Sequence, residues 1–227
     1  MISTSIENYL KCIYQLEEQL VGERTDSTKG ITTGAIADRM ETQAPSVSDM
    51  LRKLSERGWA TYEKYQGTHL TFEGRKIAVD ILRKHRLWEV FLVEKLGFKW
   101  DEVHDIAEQL EHVVSEDLVD RLDAWLGHPQ FDPHGDPIPD KKGVMRDKRK
   151  KKSLHDMQSG EAGVLVGLGD TSDTFLRYLD SFEIALGTRI TVVERFEFDG
   201  SVRVLSNDKD KLTLSSQVAA NLLLITP

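Results

Sequence analysis

The sequence predicts a mainly α fold with small β parts, laid out as successive domains, and three observations predict it. Apolar residues recur at helical spacing along most of the stretch up to about Leu126. After Ser159 the texture changes to short alternating, strand-like segments. Between these regions lies HPQFDPHGDPIPD, which holds four of the six prolines and excludes regular structure, and then the basic run KKGVMRDKRKKKS. The division is into residues 1–75, a helical segment 76–140, a flexible basic linker 141–158 and a β-rich domain 159–227.

The first helix runs from Ser5 to about Leu20, with Ile6, Leu10, Ile13 and Leu16 as its stripe. Residues 21–30 are polar and glycine-bounded, a loop. Thr33 is the N-cap candidate for a short helix to Met40. ETQAP is a tight turn, and Pro45 suits the first position of the next helix. Val47, Met50, Leu51 and Leu54 carry that helix to about Arg57, where Gly58 stops it. WATYEKYQGTHLTF then reads as two β segments about a turn at Gln66-Gly67. Helix, short helix, tight turn, helix and hairpin in this order form the pattern of a winged helix-turn-helix DNA-binding domain. The alternative is a small helical domain with an incidental hairpin. On the DNA reading Ser46 and Ser48 begin the recognition helix, Pro45 lies near the bases, Arg52 lies nearer phosphate, and Lys64 and Gln66 sit on the wing.

Three further helices follow: Glu73 to about Gly97, one capped by Asp101 and ending at Leu110, and one capped by Ser115 and ending at Leu126. In the last domain GVLVGLG, TRITVVERFEF, SVRVLS and KLTLSS read as strands, with Asp199-Gly200 as a hairpin signal. TSDTFLRYLDSFEIAL supplies a short helix, and SSQVAANLLLI ends the chain. The sum is a small, partly open β-barrel.

Composition narrows the function. The net charge is −8, which argues against a general nucleic-acid coat but not against a DNA reader with segregated charge. Residues 76–140 alone hold 7 basic and 15 acidic side chains, together with five of the seven histidines. A single cysteine, Cys12, excludes a disulfide framework and multi-cysteine metal sites. No apolar run suits a membrane span and no secretory core opens the chain, so the expectation is cytoplasmic, with no membrane partner.

The acidic segment carries the chemistry. His85 and Glu89 are spaced i, i+4, while His104, Glu108, Glu111 and His112 share a second helical stripe. Two such stripes facing one another can surround an ion. Imidazole with carboxylate suits a first-row divalent cation, toward the harder end. The plain alternative is a solvated charged face. A metal-dependent hydrolase on a helical scaffold is a further alternative, although no nucleophile motif, P-loop or glycine fingerprint accompanies the carboxylates. So is a scaffold or DNA-binding protein whose barrel binds a peptide.

ENYLKCIYQLEE, ITTGAIADRMETQAPSVSDMLRKLSERGW, LTFEGRKIA, RKHRLWEVFL, VHDIAEQLEHVVSE and FDPHGDPIP together resemble the metal-dependent repressors that include the diphtheria toxin repressor and the manganese transport regulators. Residues 160–227 resemble the SH3-like, FeoA-type domain of the longer members. The resemblance implies a homodimeric, metal-activated repressor of metal-uptake genes, bound to palindromic double-stranded operator DNA. Mn²⁺ is the implied ion and Fe²⁺ the alternative. It implies a primary site of Glu108, Glu111 and His112 with Asn8 from the first helix, and an adjoining site of His85, Glu89 and His104. It also implies ligands Asp132 and His134 from the turn before the linker, with Asp170 or Asp173 as a completing carboxylate. Glu108 stands where iron-type members have cysteine. Asn8 stands where manganese-type members have Asp, and Lys11 where some short members have Glu. Glu111 and His112 are expected to be poised for the ion rather than to belong to the core.

Overall fold

The computed structural model describes residues 2–23, 30–63 and 66–226. They divide into two compact units. The first takes residues 1–85, 109–116 and 139–144, and the second takes 86–108, 117–138 and 145–227.

The first unit begins with α1 (Thr4–Glu23), followed by α2 (Thr33–Arg39) and α3 (Ala44–Glu56). Ile6, Leu10 and Ile13 of α1, Ile36 of α2, and Val47, Leu51 and Leu54 of α3 are all buried. The cap of α2 is Thr32, not Thr33: its Oγ1 accepts from the Ala35 amide at 3.1 Å. Two adjacent threonines, Thr32 and Thr33, stand four and three residues before the first buried position of the helix, Ile36, and sequence alone could not choose between them. α3 opens with Pro45 in its first turn, where the missing amide hydrogen removes nothing from the helix. Strands β1 (Ala60–Glu63) and β2 (Gly67–Leu70) pair as an antiparallel hairpin, Ala60 against Leu70. Gly30 and Gly67 let a third segment cross this wing. A Cβ on Gly67 would lie 2.5 Å from the Gly30 carbonyl, and Ile31 exchanges backbone hydrogen bonds of 2.9 Å with Thr68. Glu17 of α1 accepts from the Leu70 amide at 2.9 Å and pairs with Arg75, tying the wing to α1.

The long helix α4 (Phe72–Leu96) begins in the first unit and ends in the second. In the second unit it is joined by α5 (His104–Leu110) and α6 (Glu116–Trp125). Leu87 and Val90 of α4 pack with Val119 and Leu122 of α6 and with Ile138, and Leu92 packs with Val103 and Ala107. Asp101 does not start a helix: residues 100–103 form turns, and α5 begins at His104.

The C-terminal part is a six-stranded antiparallel sheet in the order β3-β8-β4-β5-β6-β7. Its strands are β3 (Lys152–Ser153), β4 (Ala162–Leu168), β5 (Arg189–Arg195), β6 (Val202–Ser206), β7 (Asp210–Leu214) and β8 (Leu222–Ile225), with short helices α7 (Asp173–Asp180) and α8 (Ser216–Ala220). β3 and β7 are edges, so the described pairings leave the sheet open. The sheet starts inside the stretch read as linker, because Leu154 and Met157 are fully buried in its core. Asp199-Gly200 does lie between β5 and β6, but the last pair is Arg195 with Val202. The connection is therefore a longer loop, closed by Phe196 donating to the Ser201 carbonyl at 2.9 Å. Among the described residues no helix is long and apolar enough to cross a membrane.

Candidate metal centre

Glu89, Asp132 and His134, all in the second unit, offer ligand atoms within 4.8 Å of one another, and each is nearly inaccessible to solvent. Glu89 comes from α4. The other two come from the turn FDPHGDPIP, whose prolines keep it out of regular structure. Asp132 Oδ1 accepts from the amides of His134 and Asp136, both at 2.9 Å, and so folds the turn. Its Oδ2 faces Arg86 Nε at 3.5 Å. His134 donates from Nε2 to the Trp100 carbonyl at 2.9 Å, and its ring stacks on that of Trp100. This assignment leaves Nδ1, 3.7 Å from Glu89 Oε2, as the nitrogen that could ligate an ion.

The electrostatics fit a cation. Burial, with Asp136 and Glu89 nearby, pushes the Asp132 carboxyl up to about 7 despite Arg86. Burial opposes the His134 cation, yet hydrogen bonding and charge from Glu89, with charge from Asp132, raise it to about 9. Asp132 and His134, buried together, hold protons that a divalent ion would displace.

His104 Nδ1 lies 3.5 Å from Glu89 Oε1, and its Nε2 lies 3.6 Å from Glu108 Oε1 one turn along α5. Glu89 thus meets both His104 and the Asp132–His134 turn, two sets the sequence kept apart. His85 sits one turn earlier on α4.

In the first unit Glu111 is fully buried, contrary to the expectation that it stands clear of the core. Lys11 Nζ reaches its two oxygens at 2.6 and 2.7 Å, and His85 Nδ1 meets Oε2 at 2.6 Å. The cause is α1: Lys11 follows Glu7 by one turn, so both project toward the Glu111–His112 segment. His112 Nδ1 meets Glu7 Oε2 at 2.6 Å, while its Nε2 lies 3.8 Å from Glu111 Oε1. Asn8 Oδ1 is buried with no hydrogen-bond partner, the kind of orphaned acceptor that a cation satisfies. Sequence reasoning missed Glu7, Arg86 and Trp100. The i, i+4 spacing of Glu7 and Lys11 was the available signal for the first; nothing local marked Trp100.

Asp170 and Asp173 do not join the converging groups among the described residues. Asp170 instead accepts from the Ser172 amide at 2.8 Å, at the start of α7.

On α3, Pro45, Ser46 and Arg52 are exposed. Ser48 is half-buried, its hydroxyl donating to the Ala44 carbonyl at 3.1 Å. Arg52 pairs with Asp49 at 2.8 Å in full view of solvent. Gln66 is exposed at the wing turn, while Lys64 lies outside the described residues.

Residues 1–68 match the family described as iron dependent repressor, N-terminal DNA binding domain, and residues 71–140 match its metal binding and dimerisation domain. Residues 152–225 match the FeoA domain. The iron-dependent repressor IdeR of Mycobacterium leprae is 38% identical over 135 residues, which is 59% of this chain and about half, 54%, of that relative. The diphtheria toxin repressor of Corynebacterium diphtheriae is 29% identical across 90% of this chain and 89% of its own. A solved manganese-dependent transcriptional repressor, in complex with manganese, superposes with a TM-score of 0.85 at 36% identity, covering 98% of this chain and 100% of that one.

Proposed function

Because this chain belongs to the iron-dependent repressor family of metal-dependent transcriptional regulators, we propose that it is a cytoplasmic homodimer that silences metal-uptake genes by gripping a palindromic operator when Mn²⁺ is bound. Fe²⁺ is the alternative ion. The relatives are repressors rather than enzymes, so the hydrolase reading is dropped.

The observation that carries the manganese reading is the buried set Glu89, Asp132 and His134, oxygen-rich and free of sulfur. Hard oxygen donors suit Mn²⁺, and selectivity for it must come from ligand type and geometry because raw affinity rises later in the series. In this reading Glu89, Asp132 and His134 hold one ion, with His104 beside it on α5. In the first unit Glu111, His112 and the Asn8 carbonyl oxygen hold the other. The bound cation supplies positive charge that neutralises converging carboxylates. Glu7 fixes the ring of His112 so that Nε2 is presented. Glu7 and Lys11 place α1 beside the Glu111–His112 segment, so that occupation of this site is felt by the DNA-binding helices. A hundredfold preference for the DNA-competent state corresponds to about 2.7 kcal/mol per site.

The exposed Leu118 and Trp125 of α6, with Leu96 at the end of α4, offer apolar surface for the second copy. The dimer then sets two recognition helices about 34–36 Å apart in successive major grooves. The SH3-like barrel form of the C-terminal domain belongs to this reading too.

A gel shift on a palindromic promoter fragment from the source genome tests the reading, titrated anaerobically with Mn²⁺, Fe²⁺, Zn²⁺ and Co²⁺ in turn. Retardation that requires metal is expected, and binding indifferent to every ion would sink the proposal. Arg52→Ala should weaken binding to every sequence alike and reduce the salt slope by about 1, since its exposed pair with Asp49 is readily exchanged for phosphate. A change confined to sequence preference would move Arg52 to the bases.

A further inference from the structure

Arg149 lies in the basic run that reads as a solvated linker, yet its side chain is half-buried and spans two parts of the second unit. Its Nη2 donates to the Gly135 carbonyl at 2.9 Å and its Nη1 to the Val166 carbonyl at 3.2 Å. The guanidinium carbon lies 3.4 Å from the ring centre of Phe131. Asp147 orients the fork, accepting from Nε at 2.8 Å and Nη2 at 2.9 Å, while Lys151 adds an ion pair at 2.9 Å. Those contacts hold the Asp147 carboxyl well below the usual carboxylate range.

The two carbonyls that Arg149 joins have reasons to be there. Pairing of β4 with β8 slips between Leu165 and Gly167, so Val166 is bulged out of that ladder. Gly135 has φ +89, and a Cβ on it would lie 2.2 Å from the Val166 oxygen. Only glycine permits this approach. Both carbonyl oxygens accept from the one guanidinium, and a planar guanidinium can bridge two acceptors while stacking on an aromatic ring.

We propose that Arg149 is a positioning residue for the metal turn: it staples Phe131 and Gly135 to the bulge of β4, so that cation affinity at Glu89, Asp132 and His134 depends on the C-terminal sheet. The inference rests on reading those three residues as ligands. The turn is folded from within by Asp132 Oδ1, but its placement comes from outside. Arg86 donates to the Pro137 carbonyl at 2.6 Å on one side, and Arg149 grips Gly135, the neighbour of His134, on the other. Trp100, which stacks on His134, itself donates from Nε1 to Asp180 of α7 at 3.0 Å, a second tie to the same domain. Ligands need placement to within about half an ångström, and loss of the groups that orient them costs about 10–100-fold in affinity.

The test is Mn²⁺ binding to the full chain, followed by electron paramagnetic resonance, with His134→Ala marking which ions belong to this centre. Arg149→Ala should weaken those ions about 10–100-fold and leave the ions at Glu111 and His112 at their wild-type midpoint. Arg149→Lys, which keeps the charge but cannot bridge and stack, should recover only part of the loss. Gly135→Ala, with Arg149 intact, should reproduce it by forcing the turn off β4. If His134→Ala leaves Mn²⁺ binding unchanged, the ligand reading fails and the inference falls with it. If His134→Ala removes a class of ions that Arg149→Ala and Gly135→Ala leave untouched, the ligand reading stands and Arg149 is only linker. Equal weakening of both classes, with a fall in the thermal midpoint of the metal-free protein, would make Arg149 a general structural residue and also overturn the inference.

Discussion

His134→Ala should abolish metal-dependent operator binding, moving the Mn²⁺ midpoint by about 100-fold or more, at or beyond the upper end of what loss of an orienting neighbour alone produces. The histidine is the turn's only imidazole, and its Nε2 is committed to the Trp100 carbonyl, so no other nitrogen can take the place of Nδ1. Glu89→Gln should follow it closely, because Glu89 faces both His134 and His104. Asp132→Ala is the less clean probe, since Asp132 Oδ1 also receives two amides that fold the turn. Circular dichroism of each metal-free variant separates lost ligation from lost fold. A His134→Ala protein that stayed folded and answered Mn²⁺ at the wild-type midpoint would remove this centre from the switch.

Much of the fold was legible because local signals and burial agreed. Pro45 and Gly58 bracket α3, and Val47, Leu51 and Leu54 fill its buried face with no conflicting polar residue. Helical spacing likewise anticipated the contact of His104 with Glu108, one turn apart on α5. What spacing could not supply was the partner across the fold. The contact of Glu89 with His134 depends on a proline-rich turn whose path no periodicity encodes. The pairing of Lys11 with Glu111 joins residues 100 positions apart. Arg149 was hidden for a different reason: in a run of cations, one whose neighbours Asp147 and Phe131 arrest it has the same composition as one that is solvated. The start of the C-terminal sheet was missed because β3 has only two residues, too few for an alternating pattern.

Glu111→Gln should destabilise the metal-free protein by about 3–5 kcal/mol, the scale for removing one member of a buried ion pair. The glutamate is fully buried, and its two oxygens take Lys11 at 2.6 and 2.7 Å and His85 at 2.6 Å. An amide in its place withdraws the anion from a buried ammonium and turns a donor toward it. Lys11→Met perturbs the same pair from the other side, and the two variants should part company on metal. Removing Glu111 removes a proposed ligand, so operator binding should lose its Mn²⁺ response. Removing Lys11 leaves the carboxylate without its resident cation, so that site should bind Mn²⁺ more tightly even as the metal-free protein loses stability. With Glu111 as a ligand, as proposed, metal has to displace the ammonium from it in the wild type, and that displacement lowers the apparent affinity. The double variant Lys11→Met, Glu111→Gln should be less destabilised than the sum of the two single changes, because it leaves neither charge buried alone. Denaturant unfolding of the four proteins and Mn²⁺ titration of the first three decide it. Additive stability losses would show that the pair is not coupled. Unaltered Mn²⁺ affinity in Lys11→Met would show that Lys11 does not compete with the ion for Glu111.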